Sequence, residues 1–215
     1  MLRKNIAISA FFLLIFSVGS AGCANLSYLK RGGDFDVFKL TQLTLLKSTK
    51  SDFLRQYGEP FQREKVEKEG KIHEVFYYQF GELLSGRMNF RTLAVEFKDN
   101  TWNGFTFQSS YPQDSSYFDE KKRKLLVEGK TTKGTAKNIL GNPTGIILVP
   151  SALNYSVEKE SDFELALKRV HEIWSYWYMV YPKADLSSIR EKRLFLYFND
   201  QGILVEKQFK TNIAE

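Results

Sequence analysis

The chain has one cysteine, Cys23, among 215 residues, and two histidines, His73 and His171. Without a second cysteine no intramolecular disulfide can form, so the fold must be held by its core. The two histidines are far apart and neither has a cysteine nearby, so no local metal-ligand set is legible. There is no phosphate-binding glycine loop and no Gly-x-Ser-x-Gly elbow. No nucleophile–base pair can be read either, so we expect no catalytic residues, no cofactor, no metal and no small-molecule substrate. Charge is not one-sided. The net value of +6 falls to +4 without Arg3 and Lys4, which is too little to require a nucleic-acid partner.

Hydrophobic residues make up 43% and charged residues 26%, with 18 Phe and 11 Tyr, a globular and aromatic-rich composition. The start of the chain reads as an address. Arg3-Lys4 precede an apolar run from Ile6 to Val18, then the small residues Ser20-Ala21-Gly22, then Cys23. Residues 1–22 are expected to be a signal peptide, too short and wrongly flanked for a spanning helix. The placement of Cys23 resembles the lipobox of bacterial lipoproteins, with Ser20 where that pattern most often has Leu. The resemblance implies lipidation of Cys23 and a tether over residues 23–34. Ala24 is not the Asp of inner-membrane retention, so it also implies the periplasmic face of the outer membrane. The alternative is plain cleavage near Ala21, leaving a periplasmic or secreted chain.

Behind the leader the sequence repeats itself. Thr49, Gly58 and Pro60 recur at a constant offset of 83 as Thr132, Gly141 and Pro143. His73-Glu74-Val75-Phe76 is echoed by His171-Glu172-Ile173-Trp174, and Leu93-x-Val95-x-Phe97-x-Asp99 by Leu194-x-Leu196-x-Phe198-x-Asp200. Each Thr reads as a helix N-cap, each Gly as the left-handed stop, and the alternating runs as strands. The spacing predicts an α+β fold of two tandem helix-helix-antiparallel-sheet units, each a two-layer sandwich. The first would span residues 35–110. The second would span 111–213 and carry an insertion at 150–168. Gly81 to Asn89 is expected as a loop. The strand at Arg91–Lys98 is expected to bury Leu93, Val95 and Phe97 and to wet Ala94, Glu96 and Lys98. The two histidines share a structural task in this reading. The run Lys121-Lys122-Arg123-Lys124 is either a solvated helix face or a contact for anionic headgroups.

The second unit carries Thr132, Leu140, Gly141, Pro143, Trp174, Tyr176, Phe198, Asp200 and Gly202. Their order resembles the small outer-membrane lipoprotein family SmpA/OmlA, or BamE. The doubled arrangement is similar to β-lactamase-inhibitor proteins. The likeness implies a non-enzymatic envelope protein that works by protein–protein contact, as an outer-membrane assembly or envelope-integrity accessory. Its alternative is an inhibitor of a periplasmic or secreted enzyme. Trp174, Tyr176, Tyr178, Phe195 and Tyr197 are the candidate partner-binding residues, since aromatics there fall on both strand faces. Either a protein partner covers them or the insertion does.

Overall fold

The computed structural model describes residues 28–84, 87–114, 117–153, 169–180 and 190–212, without side chains for 28–32 and 84–88. The leader, Cys23 and most of the insertion lie outside the described residues. Among the described residues nine strands form: β1 Tyr28–Gly32, β2 Gln62–Lys68, β3 Lys71–Leu84, β4 Arg87–Lys98, β5 Thr101–Ser109, β6 Gly145–Leu148, β7 Glu172–Val180, β8 Arg190–Phe198 and β9 Leu204–Thr211. All join one antiparallel sheet in the order β1-β3-β4-β5-β6-β7-β8-β9. β2 pairs with the opening of β3, while β1 pairs with its end.

The expected α+β pair of helix-helix-sheet sandwiches is therefore not what forms. The helices α1 (Lys50–Tyr57) and α2 (Lys133–Leu140) have 8 residues each. About two turns is too short to make a helical layer. The helices expected before them are 3-10 turns, Val37–Gln42 and Glu120–Leu125. Strand pairing also reaches further than the sequence indicated. β3 runs 14 residues to Leu84 and β4 begins at Arg87, so the predicted loop is mostly ladder. The end of the expected tether is β1. One sheet crosses from the first half to the second at β5–β6, where Gly104 faces Ile147 and Thr106 faces Gly145. Two glycines let the backbones close here. A Cβ on Gly104 would lie 2.8 Å from the Ile146 carbonyl oxygen, and one on Gly145 would lie 2.8 Å from that of Phe105.

Within that sheet the local hydrogen bonding of the two halves recurs. Leu46 N–H donates to the Trp102 carbonyl as Gly129 N–H does to that of Leu204, both at 2.8–2.9 Å. Leu46 and Gly129 share a left-handed backbone, φ 63° and 75°. Gly58 and Gly141 end α1 and α2 at φ 73° and 86°. The Tyr78 hydroxyl donates to the Gly58 carbonyl at 3.2 Å, and that of Tyr176 to the Gly141 carbonyl at 3.1 Å. Lys50 pairs with Glu74 at 2.6 Å and Lys133 with Glu172 at 2.7 Å. Both β4 and β8 shift register just before their last aromatic, at Glu96/Phe97 and Tyr197/Phe198.

One sheet face carries the helices. In the first half Phe76, Leu93, Val95 and Phe97 meet Phe53 of α1, with Phe53 edge-on to Phe97 and Trp102 at 5.2 and 5.1 Å. In the second, Trp174, Tyr176, Leu194, Leu196 and Phe198 meet Ala136 of α2 and Phe118. The opposite face is buried as well around the seam. Val75, Ala94, Ile147, Ile173 and Tyr197 pack under Leu153 and Val170. Ala94 and Glu96 are thus interior rather than wet, because residues 149–153 cross over them.

Candidate functional site

The five aromatics singled out in the sequence do not form an open patch. Strand alternation sends Trp174, Tyr176 and Tyr178 to the helix-bearing face and Phe195 and Tyr197 to the other. Trp174, Tyr176 and Tyr197 are 7%, 2% and 0% exposed, and Tyr178 and Phe195 are half-buried against the same cores. Trp174 stacks obliquely on Phe198, and its indole N–H donates to Glu172. Their side chains are spent on packing. The start of the insertion contributes to the cover: Val149, Ala152 and Leu153 lie with Tyr197 and Phe195 in one cluster. Burial lifts the Tyr176 phenol above its ordinary range and that of Tyr78 to about 12, so both stay protonated donors to the helix-end carbonyls.

The same covered face holds a polar cluster that pattern reading missed. Register sets His73 beside Val66 and Lys98, two residues from the Val75–Glu96 pair. His73 and Glu96 are both fully buried, and His73 Nδ1 lies 2.7 Å from the Glu96 carboxylate. With Glu96 as a carboxylate, which only accepts, the bond is donated by Nδ1–H. Glu96 also accepts from the amide of Asn103 at 3.1 Å, the hydroxyl of Ser151 and the backbone N–H of Ala152. Asn103 bonds onward to the Leu148 carbonyl at 3.2 Å. His73 Nε2 is buried without a partner among the described residues. The Ser151 hydroxyl is bonded to the glutamate and not to the imidazole. The cluster pins residues 149–153 to the sheet. The shared task read for the two histidines fails, because His171 stands just before β7, is exposed and contributes backbone bonds.

Beside β4 an open crevice of about 400 Å³ is lined by Asp34, Phe38, Lys39, Arg91 and Asp114. Arg91 is taken up by both oxygens of Asp114 at 2.8 and 3.0 Å and by Asp34. Those bonds raise its pKa further and satisfy its charge within the protein, while Lys39, which also lines the crevice, donates to the Gln56 carbonyl. Among the described residues no group of three or more His, Cys, Asp or Glu could hold a metal ion. No helix among them is long and apolar enough to cross a membrane.

No protein-family model matches this chain, and no curated protein does. A crystal structure from Streptococcus mutans, of a protein provisionally named a beta-lactamase inhibitor protein, is similar at 14% identity and a TM-score of 0.45. That match covers 80% of this chain and 93% of the other. So slight a likeness carries no argument about fold or function. The SmpA/OmlA likeness remains a resemblance of motifs.

Proposed function

We propose that this is a bacterial envelope lipoprotein, tethered to the membrane by acyl chains on Cys23 and acting by contact with another protein rather than by catalysis. The observation that carries the reading is the position of the sole cysteine, directly behind an apolar leader and a run of small residues. The polar groups of the interior support it. His73, Glu96, Asn103 and Ser151 are bound to one another in a buried structural pin. Two acyl signals give stable anchoring without a spanning helix. The partner must meet a surface other than Trp174, Tyr176 and Tyr197, which are buried.

Crosslinking in intact cells, followed by purification from solubilised outer membrane and mass spectrometry, tests the contact role. Recovery of membrane-assembly or envelope-maintenance proteins, lost when Cys23→Ala frees the chain from the membrane, is the expected result. Recovery of one soluble enzyme from wild type and variant alike would replace it with an inhibitor role.

A further inference from the structure

The basic run falls on the 3-10 turn Glu120–Leu125, capped by Asp119, whose side chain accepts the Lys121 N–H at 3.0 Å. Three residues per turn place Lys121 in line with Lys124 and Lys122 in line with Leu125. Arg123 is committed to packing, with its guanidinium 4.4 Å from the centre of the Phe209 ring. Leu126 is buried beneath. The turn is fastened from below. Lys207 donates to the Arg123 and Leu126 carbonyls, and Lys192 pairs with Glu120. Lys121, Lys122, Lys124 and Lys130 are exposed, and among the described residues none lies in an ion pair. Beside them Leu125 is 63% and Val127 48% exposed.

We propose that this turn, with Val127 and Lys130, docks on an anionic phospholipid surface. Headgroup phosphates would take the ammonium groups, and Leu125 and Val127 would enter the interfacial layer. A bilayer asks only for protruding apolar side chains beside cations. A protein partner asks for matched shape, which single projecting aliphatics do not provide. The equivalent stretch of the first half, Phe38 to Lys47, has only Lys39 and Lys47 as cations, and Lys39 is bound to the Gln56 carbonyl at 3.1 Å. The patch is thus particular to one half. It packs on β8 and β9, whereas the chain enters the sheet at β1 on the far edge. At the usual strand spacing these edges are about 34 Å apart. A tether before β1 and this patch would hold both ends of the sheet on one membrane. Only that last step rests on the proposed tether.

The test is amide hydrogen exchange on the mature protein reconstituted into phosphatidylcholine vesicles with or without phosphatidylglycerol. Exchange over residues 120–130 is expected to slow roughly tenfold in the anionic vesicles and to recover in about 0.5 M salt. The triple change K121Q/K122Q/K124Q and, separately, Leu125→Ser should each abolish the slowing while the melting temperature holds. Equal exchange in both vesicle types would overturn the proposal. So would slowing that persists in the triple variant, or protection that appears only with a copurified acidic protein. The intact mass of the same sample reports lipidation independently, so an absent tether and an inert patch give different results.

Discussion

His73 and His171 begin in matching sequence contexts and end in opposite surroundings. The first is fully buried on Glu96, while the second is exposed before β7. The same contrast holds at the strand positions before the two register shifts, Glu96 in β4 and Tyr197 in β8. Both are 0% exposed, yet one sits in a polar cluster and the other among Ile173, Ile147 and Leu153. On the helix-bearing face the halves keep the same bonds, from the Tyr–Gly closures to the Lys–Glu pairs. The helix face is thus fixed by backbone geometry that both halves need. The other face is free to diverge, and it does so around one covering segment.

Glu96→Ala is expected to have the largest effect. It strands His73, Asn103, Ser151 and the Ala152 N–H, at a cost of about 3–5 kcal/mol in urea unfolding. Its counterpart Tyr197→Phe loses a hydroxyl bond to Gln208 and should cost about 0.5–1.5 kcal/mol. Equal losses would erase the contrast. Gly104→Ala forces a Cβ onto the Ile146 carbonyl and should cost about 1–3 kcal/mol, with exchange rising at β5 and β6 together. A loss confined to β5 would show that the seam does not join the halves.

A smaller difference is expected in acid. The Thr49 N–H and hydroxyl both donate to Asp52, which with Arg55 hold its carboxyl below the ordinary 3.8. A depressed carboxyl stabilises the fold above its unfolded value and loses that contribution as pH falls through the folded one. In α2 the Thr132 hydroxyl accepts from Thr135 N–H, and no carboxylate takes part. Amide exchange below pH 3.8 should therefore rise in α1 before α2. Asp52→Asn should remove that pH dependence; an unchanged profile would assign it elsewhere. Smallest of all, His171→Ala should move stability by less than about 0.5 kcal/mol.

How much of this was legible follows from what each signal encodes. The Thr caps, the glycine stops and the alternation in β4, β7 and β8 are local, and they appear where the residues placed them. The joining of both halves into one sheet is not local. It turns on Gly104 and Gly145, glycines inside strand patterns and the one available hint of close backbone approach. Glu96 looked wet because alternation says which residues share a face and not what covers that face. Its partners Ser151 and Ala152 lie more than 50 positions away. The five aromatics misled for the same reason: Trp174 and Tyr197 are interior on opposite faces of a sheet packed on both sides.

The intact mass of the protein extracted from membranes bears most directly on the tethered, contact-making role. The expected species begins at Cys23 and carries the added mass of acyl chains. A chain that begins near residue 22 with an unmodified, alkylatable thiol would contradict it.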